Sequence, residues 1–158
     1  MRNTTTSSWL AIAAILASSP VFAATPFDIA KPSNRVGEGR CHMGECSYSK
    51  TLATHIVKKS AQETRVRVTL LGGTSYHKNG HYPRTIPKNI VWNKTPHQLT
   101  VVCSYQNPTV VFGQQVENLD FSMVPGYLES SANMYFQICH NAHNGYSRDA
   151  IKFGYVSR

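Results

Sequence analysis

Acidic residues are scarce in this 158-residue chain, which has eight Asp and Glu against 16 Lys and Arg and a formal charge of +8 at pH 7. None of the eight carboxylates forms an evident spaced pair, and no G-x-S-x-G motif is present, so neither a glycosidase nor a serine hydrolase is supported. The sequence also lacks an internal repeat and a low-complexity tract. Basic runs and the glycine-aromatic signature of RNA-binding domains are missing too, so we predict no specific nucleic-acid partner.

Long hydrophobic runs are absent as well. The uncharged run 9–17 is far shorter than the about 20 apolar residues that span a bilayer. Arg2 before that run and the small or β-branched residues that "VFA" places after it are typical of a secretory signal peptide. We predict removal of residues 1–23, with cleavage after Ala24 as the alternative. Because the first cysteine is Cys41, we predict no lipid anchor, and we expect a soluble periplasmic or secreted protein.

The predicted mature chain is small and basic. Removal of residues 1–23, which hold one basic residue and no acidic one, leaves 135 residues with a formal charge of +7. This length suits one domain with its own core. Prolines, glycines and few apolar positions predict an exposed N-terminal arm over 24–40, followed by a single disulfide-stapled β-rich domain over 41–158. The positive charge favours an acidic partner, which we expect to be a protein with an acidic face.

Alternation of apolar and polar residues predicts β-structure. In "TRVRVTLL", Val66, Val68 and Leu70 alternate with Arg65 and Arg67, which is typical of a half-buried strand with its basic side in solvent. This segment and "LATHIVKK" predict a hairpin, and the short runs "NIVW", "QLTVVCS" and "TVVF" predict further strands. We therefore predict a mainly β (α+β) domain: an antiparallel sheet or sandwich of five or more strands with one short helix.

The segment "PGYLESSANMYFQICHNAHNG" fits two structures. Its apolar residues recur at spacings of four, three and four from Leu128 to Cys139, as in a helix, whereas those from Met134 to Ile138 alternate, as in a strand. Because it is also rich in helix-forming residues, we predict a helix over 126–140. The tail "AIKFGYV" then predicts a closing strand with its Ile, Phe and Tyr on one face.

Four cysteines in a chain directed to an oxidising compartment predict two disulfides. Three pairings are possible, and we favour Cys41 with Cys46 and Cys103 with Cys139. The first closes a tight loop at the permissive Gly44, and the second ties a central strand to the predicted helix. A zinc site would require paired spacings such as C-x2-C, and a redox site would favour C-x-x-C at a helix N-terminus. We therefore predict neither a metal site nor a cofactor.

The longest stretch without apolar periodicity, residues 72–89, predicts a binding loop, with contact over 72–86. Its sequence "YHKNGHYPR" combines basic side chains with tyrosines, which offer a large contact area at low entropy cost. Because Gly80 and Pro83 disfavour a helix, the histidines spaced i, i+4 are not predicted as metal ligands. The predicted contact residues are Tyr76, His77, His81, Tyr82 and Arg84.

The cysteine contexts "CHMGECSYS", "VVCS" and "YFQICH" resemble those of small exported bacterial proteins with paired cysteines and a largely β fold. Some of these look like periplasmic inhibitors of cell-wall hydrolases or like immunity proteins that neutralise secreted effectors. The resemblance implies an exported binding protein, and no residue role is carried over from it. Inhibitors of lysozyme, a basic enzyme, are expected to be acidic, so the predicted charge of +7 does not fit that target.

Two other function classes stay open from the sequence. A secreted basic hydrolase acting on nucleic acid or phospholipid would use histidines as acid and base, with His77 and His140 as candidates. A structural surface component would self-associate without a foreign partner. The lack of a complete catalytic constellation favours the non-enzymatic prediction, an inhibitor or immunity protein that neutralises a secreted or cell-wall-acting enzyme.

Overall fold

A computed structural model describes residues 26–33 and 35–157, so the predicted signal peptide lies outside the described residues. Within these residues the chain forms a mainly β domain with a seven-stranded antiparallel sheet, two α-helices and two disulfides, which confirms the predicted fold class. The strands are β1 (Val36–His42), β2 (Glu45–Lys59), β3 (Thr64–Tyr76), β4 (Val91–Trp92), β5 (His97–Cys103), β6 (Thr109–Phe112) and β7 (Gln115–Asn118). The helices are α1 (Glu129–His140) and α2 (Tyr146–Lys152), and single 3-10 turns occupy Lys78–Gly80 and Gly126–Leu128.

Strands β2 and β3 form the predicted hairpin, which lies between β1 and β5 in the sheet. Val66, Val68 and Leu70 are buried toward the core, while Arg65 and Arg67 are exposed on the opposite face. The strands follow the order β1-β2-β3-β5-β6-β7, and β4 pairs with β3 beyond the end of β5. One face of the sheet is therefore apolar, and it must be covered by another element.

Helix α1 covers this apolar face. Its Tyr135 and Phe136 are fully buried, and the Cys103–Cys139 disulfide ties α1 to β5. The helix predicted over 126–140 is confirmed, with α1 preceded by a 3-10 turn. The helical spacing prevails over the strand-like alternation because it places a continuous apolar stripe against the sheet.

The closing strand predicted for the C-terminal tail is wrong. The tail begins instead with α2, which follows Gly145 at a φ of 88°. Asp149 is buried and accepts hydrogen bonds from the backbone N–H and the side-chain amide of Asn144 at 3.0 and 2.9 Å, which fixes the start of the helix. The chain then turns at Gly154 and returns Tyr155 to the core. The period-two pattern of the tail thus arises from a helix end followed by a turn.

The N-terminal segment is not the exposed arm that we predicted. Its last five residues, 36–40, belong to β1, Phe27 and Ile29 pack against the core, and Ala30 is buried. The N–H of Ala30 donates to the carbonyl of Ile138 at 2.9 Å, and the Thr54 hydroxyl donates to the Ala30 carbonyl at 2.9 Å. Closely spaced apolar side chains therefore anchor a stretch whose prolines and glycines had indicated solvent exposure.

Strand β2 extends beyond the segment that pairs with β1, so its C-terminal half lies at an edge of the described sheet. Register shifts between Thr51 and Ala53 and between Ile56 and Lys58 mark two bulges in this half. The strand ends in two exposed lysines, Lys58 and Lys59. The C-terminal half of β2 is therefore irregular in its register and ends in basic residues.

Candidate functional site

The turn between β1 and β2 is a small loop closed by a disulfide. The predicted Cys41–Cys46 pairing is confirmed, together with the longer disulfide. Met43 and Gly44 both have positive φ, 49° and 81°, as in the type I′ turns that match the twist of paired strands. The Met43 side chain is 87% exposed. The turn therefore presents an apolar side chain on a covalently closed backbone.

The predicted binding loop contacts this turn. The backbone N–H of His77 donates to the Gly44 carbonyl at 2.7 Å, and the N–H of Gly44 donates to the Tyr82 hydroxyl at 3.0 Å. A side chain at position 44 would meet the backbone carbonyl oxygen of His77, so this close approach requires glycine. We call the assembly of residues 41–46 and 76–82 the tip.

The tip exposes apolar and basic side chains. Tyr76 and Tyr82 are 68% and 39% exposed, in addition to Met43. His81 is exposed as well. The remaining ionisable residues of the tip are His42, Glu45, His77 and Lys78. Glu45 is the one carboxylate and Lys78 the one lysine of the tip, so the apolar anchors stand among polar side chains that carry no net formal charge when the histidines are neutral.

His77 supports the loop from its inner side. Its ring nitrogen Nε2 lies 2.6 Å from the hydroxyl of Ser75, whose oxygen lies 3.3 Å from the Tyr48 hydroxyl. The His77 ring also packs edge-on against the Tyr82 ring, with centroids 6.2 Å apart. A serine beside a histidine can be a nucleophile beside its base, but Ser75 has no exposed surface, so a substrate does not reach its hydroxyl. This pair therefore holds the loop in place and lends no support to a hydrolase.

His140, the other candidate base, lies in a buried aromatic cluster between α1 and the C-terminal tail. Its ring stacks on Phe153 with centroids 4.0 Å apart, and only 5% of the residue is exposed. Its Nε2 lies 2.9 Å from the Tyr155 hydroxyl, which lies 2.7 Å from the Tyr135 hydroxyl. Burial lowers the pKa of His140 to about 4, although the charge of Asp149 acts in the opposite direction. The ring is therefore neutral at pH 7 and shielded from substrates.

The hydrogen bonds of Tyr135 determine where the protons of this cluster lie. Its hydroxyl donates to the Ser104 carbonyl at 2.8 Å and accepts from the Ser104 N–H at 3.0 Å. The Tyr135 hydroxyl has a single proton and donates it to Ser104, so in the contact with Tyr155 it accepts and Tyr155 donates. Because Tyr155 has then used its own proton, Nε2 of His140 donates to the Tyr155 hydroxyl. Nδ1 of His140 is left as a buried acceptor without a hydrogen-bond partner among the described residues. Burial raises the pKa of both tyrosines, so both stay protonated.

A polar groove of about 700 Å³ lies between β1, α1 and the connection from α1 to α2. We call it the β1–α1 groove. Its charged lining comprises Arg35, Glu38, Arg84, Glu129, His143 and the buried Asp149. Burial, followed by the charge of Glu129, raises the pKa of Glu38. Burial, followed by the charge of Arg35, lowers the pKa of His143. Arg84, a predicted contact residue, thus lines this groove.

Sequence reasoning missed the groove and the aromatic cluster for different reasons. The groove is assembled from three parts of the chain that are far apart in the sequence, within 35–41, 84–86 and 129–149, and no motif or spacing connects them. The cluster did have a signal, because Phe153 and Tyr155 belong to an aromatic alternation in the tail. We interpreted that alternation as a strand.

Among residues 26–33 and 35–157, no group of three or more His, Cys, Asp or Glu side chains is arranged to hold a metal ion. In the same part of the chain, no helix has the length and apolar character needed to cross a membrane. No protein family, curated protein or solved structure matches the chain.

Proposed function

We propose that this chain is an exported binding protein without catalysis that neutralises a secreted or cell-wall-acting enzyme, as periplasmic inhibitors and immunity proteins do. It acts by inserting the tip into the cleft of that enzyme. One observation carries the proposal: Met43 and Tyr76 are exposed on a backbone that the Cys41–Cys46 disulfide closes and that Gly44 bonds to the loop.

A fixed backbone favours this mode of binding. Association costs less conformational entropy when the contacting segment already holds its bound shape. Inhibitors that block enzyme clefts bind with little backbone movement for the same reason. Methionine adapts to irregular apolar pockets, and tyrosine is frequent among the residues that dominate binding energy. Met43 and Tyr76 are therefore the anchors of the proposed interface.

The net positive charge of the predicted mature chain favours an enzyme with an acidic face. Glu45 is the one carboxylate in residues 41–46 and 76–82, against one lysine and three histidines. The predicted mature charge of +7 would accelerate encounter with an acidic protein and slow it with a basic one such as lysozyme. The proposed partner is therefore a protein with an acidic face.

The disulfides support the same proposal. All four cysteines are paired in disulfides, which persist in oxidising compartments such as the periplasm and the extracellular space. The predicted signal peptide would deliver the chain there. We therefore propose a periplasmic or secreted location, where secreted and cell-wall-acting enzymes work.

The test is affinity capture from the envelope and the culture medium of the producing cell, followed by activity assays on each captured enzyme. The tip variant is Met43→Ser with Tyr76→Ser. The matched control is Met123→Ser with Val116→Ser, because these side chains are also exposed, at 77% and 58%, and lie outside the tip.

We expect the wild-type protein and the control to capture one enzyme and to abolish its activity at about one equivalent, whereas the tip variant does neither. Circular dichroism checks that all three proteins are folded. Equal inhibition by the tip variant would contradict the assignment of the tip. Turnover of RNA, DNA or phospholipid by the purified protein would favour the hydrolase alternative instead.

A further inference from the structure

The sequence contains two Asn-Gly pairs, and the structure holds them differently. They are Asn79 with Gly80, in the tip, and Asn144 with Gly145, directly before α2. An asparagine that precedes glycine is prone to lose its side-chain amide, because glycine has no side chain to keep its backbone nitrogen away from the asparagine Cγ. The fold therefore decides which of the two pairs can react.

Asn144 is held by hydrogen bonds. Its side-chain nitrogen donates to Oδ1 of the buried Asp149 at 2.9 Å, and its backbone N–H donates to Oδ2 at 3.0 Å. The Gly145 carbonyl accepts from the N–H groups of Arg148 and Asp149 at 3.2 and 3.1 Å. The Asn144 side chain would have to leave Asp149 before its Cγ could reach the nitrogen of Gly145. Because the lost bond goes to a charged group, we expect the reaction to be slowed about tenfold or more.

Asn79 is not held in this way. Asn79 and Gly80 are both exposed and lie in the single 3-10 turn Lys78–Gly80. Among residues 26–33 and 35–157, the Asn79 side chain has no hydrogen-bond partner. A Cβ built on Gly80 would have no atom within 4 Å apart from those of its chain neighbours. Rotation of the Asn79 side chain and access of water to it are therefore both unobstructed.

We propose that Asn79 is a site of spontaneous deamidation, at which the tip converts its own asparagine into aspartate or isoaspartate. The nitrogen of Gly80 loses its proton and bonds to Cγ of Asn79, and the side-chain amide group leaves as ammonia, which forms a succinimide ring. Water then adds to one of the two ring carbonyl carbons and opens the ring. Cleavage between Cγ and the nitrogen gives aspartate, and cleavage between the main-chain carbonyl carbon and the nitrogen gives isoaspartate.

Either product changes the tip. Lys78 and Glu45 balance each other there when the histidines are neutral, so the new carboxylate gives the tip a net formal charge of −1. Isoaspartate also lengthens the main chain between His77 and Tyr82, the two loop residues that hydrogen bond with Gly44. The consequence for binding, unlike the site itself, rests on the proposed function: deamidation should weaken capture of a partner with an acidic face.

The test is incubation of the purified protein in mildly alkaline buffer, folded and in urea, followed by peptide mass spectrometry. Conversion changes the peptide mass by the difference between OH and NH2. Asn144 is the internal comparison, because glycine follows it as well. Asn141 is the control for the role of glycine, since it is exposed, has a φ of 48° and is followed by Ala142. In urea, which removes the folded contacts, the two Asn-Gly pairs should react at similar rates.

In the folded protein we expect Asn79 to react about tenfold or more faster than Asn144, while Asn141 keeps its amide over the same period. Asn79→Gln should remove the conversion in the tip, because its ring would need one more atom. The proposal is overturned if Asn79 keeps its amide in the folded protein while the chain in urea loses it. It is also overturned if Asn144 reacts as fast as Asn79 in the folded protein.

Capture assays before and after incubation test the consequence for the tip. Asn79→Asp and the incubated wild type should bind the captured enzyme about two- to fivefold more weakly than the fresh wild type, whereas incubated Asn79→Gln binds like its fresh form. Equal capture by fresh and converted protein would contradict the effect on the tip. Failure of the fresh protein to capture any enzyme would contradict the proposed function but not the deamidation site, which mass spectrometry measures without a partner.

Discussion

The backbone N–H of Gly44 donates to the phenol oxygen of Tyr82, 38 positions later in the chain, at 3.0 Å. This bond joins the disulfide-closed turn to the loop whose composition had indicated a contact surface. It gives Tyr82 a positioning role, while Tyr76 remains free to make contacts at 68% exposure. We therefore expect the loss of the hydroxyl to affect the tip at Tyr82 but not at Tyr76.

Tyr82→Phe should loosen the tip without unfolding the domain. The Gly44 N–H loses its acceptor, and a lost hydrogen bond at a partly exposed site costs about 1 kcal/mol. We expect faster hydrogen exchange of the Gly44 amide by NMR and weaker capture of the enzyme partner, with a small change in Tm. Tyr76→Phe is the control. Unchanged exchange at Gly44 in Tyr82→Phe would mean that the bond does not hold the turn.

The two disulfides should contribute unequally to stability. Cys103–Cys139 closes a loop with a sequence separation of 36, and Cys41–Cys46 one of only 5. In the chain-entropy model the longer loop stabilises by about 3–4 kcal/mol and the shorter by about 2 kcal/mol. Urea denaturation of the two paired Cys→Ala variants measures this. A larger loss from the short loop would show that the tip also supports the core.

Acid should destabilise the fold through His140. Burial lowers the pKa of its ring to about 4, whereas the unfolded chain protonates this side chain near pH 6.5. Between these values the unfolded state binds more protons than the folded state, so the free energy of unfolding falls as pH decreases from 6.5 toward 4. His140→Phe should reduce this slope. His143→Asn serves as a comparison, because burial also lowers the pKa of His143.

The measurement is urea denaturation at several pH values from 4 to 7.5 for the wild type and both histidine variants. The wild type should be most stable above pH 6.5. If His140→Phe keeps the full wild-type slope, other groups cause the acid sensitivity.

Tyr155→Phe should cost more stability than its single oxygen atom suggests. Its hydroxyl lies between Nε2 of His140 and the hydroxyl of Tyr135, so its loss leaves a second buried nitrogen of the histidine unpaired. An unsatisfied buried donor costs about 1–3 kcal/mol. Tyr127→Phe is the matched control at 74% exposure, with an expected effect near zero. Equal Tm values for the two variants would contradict the proton arrangement of the cluster.

The elements that sequence reasoning recovered are those with short-range signals. The alternation around Val66 and Val68 is a local property of one strand, and it predicted the central hairpin. The cysteine pairing followed from compartment, spacing and the permissive Gly44. The tail misled because Ile151, Phe153 and Tyr155 follow the same alternation, although a helix end and a glycine turn produce it.

The candidate functional surfaces show the same contrast between features with a local sequence signal and features that depend on long-range contacts. The loop was recognisable from composition, but its docking on the turn depends on backbone groups of Gly44, which no side-chain pattern reports. Likewise, Glu38 and Glu129 become neighbours only when α1 packs beside β1. A single sequence contains no local signal that two residues so far apart in the chain become neighbours in the fold.

The bulges of β2 and the lysines at its end affect the tendency of the chain to aggregate. A straight, apolar edge would be a template on which further copies could add strand by strand into insoluble fibrils. The irregular register near Thr51 and Ile56 interrupts such growth, and the exposed charge of Lys59 repels an identical neighbour. The longest hairpin can therefore keep one side unpaired by any described strand without offering a regular template for fibril growth.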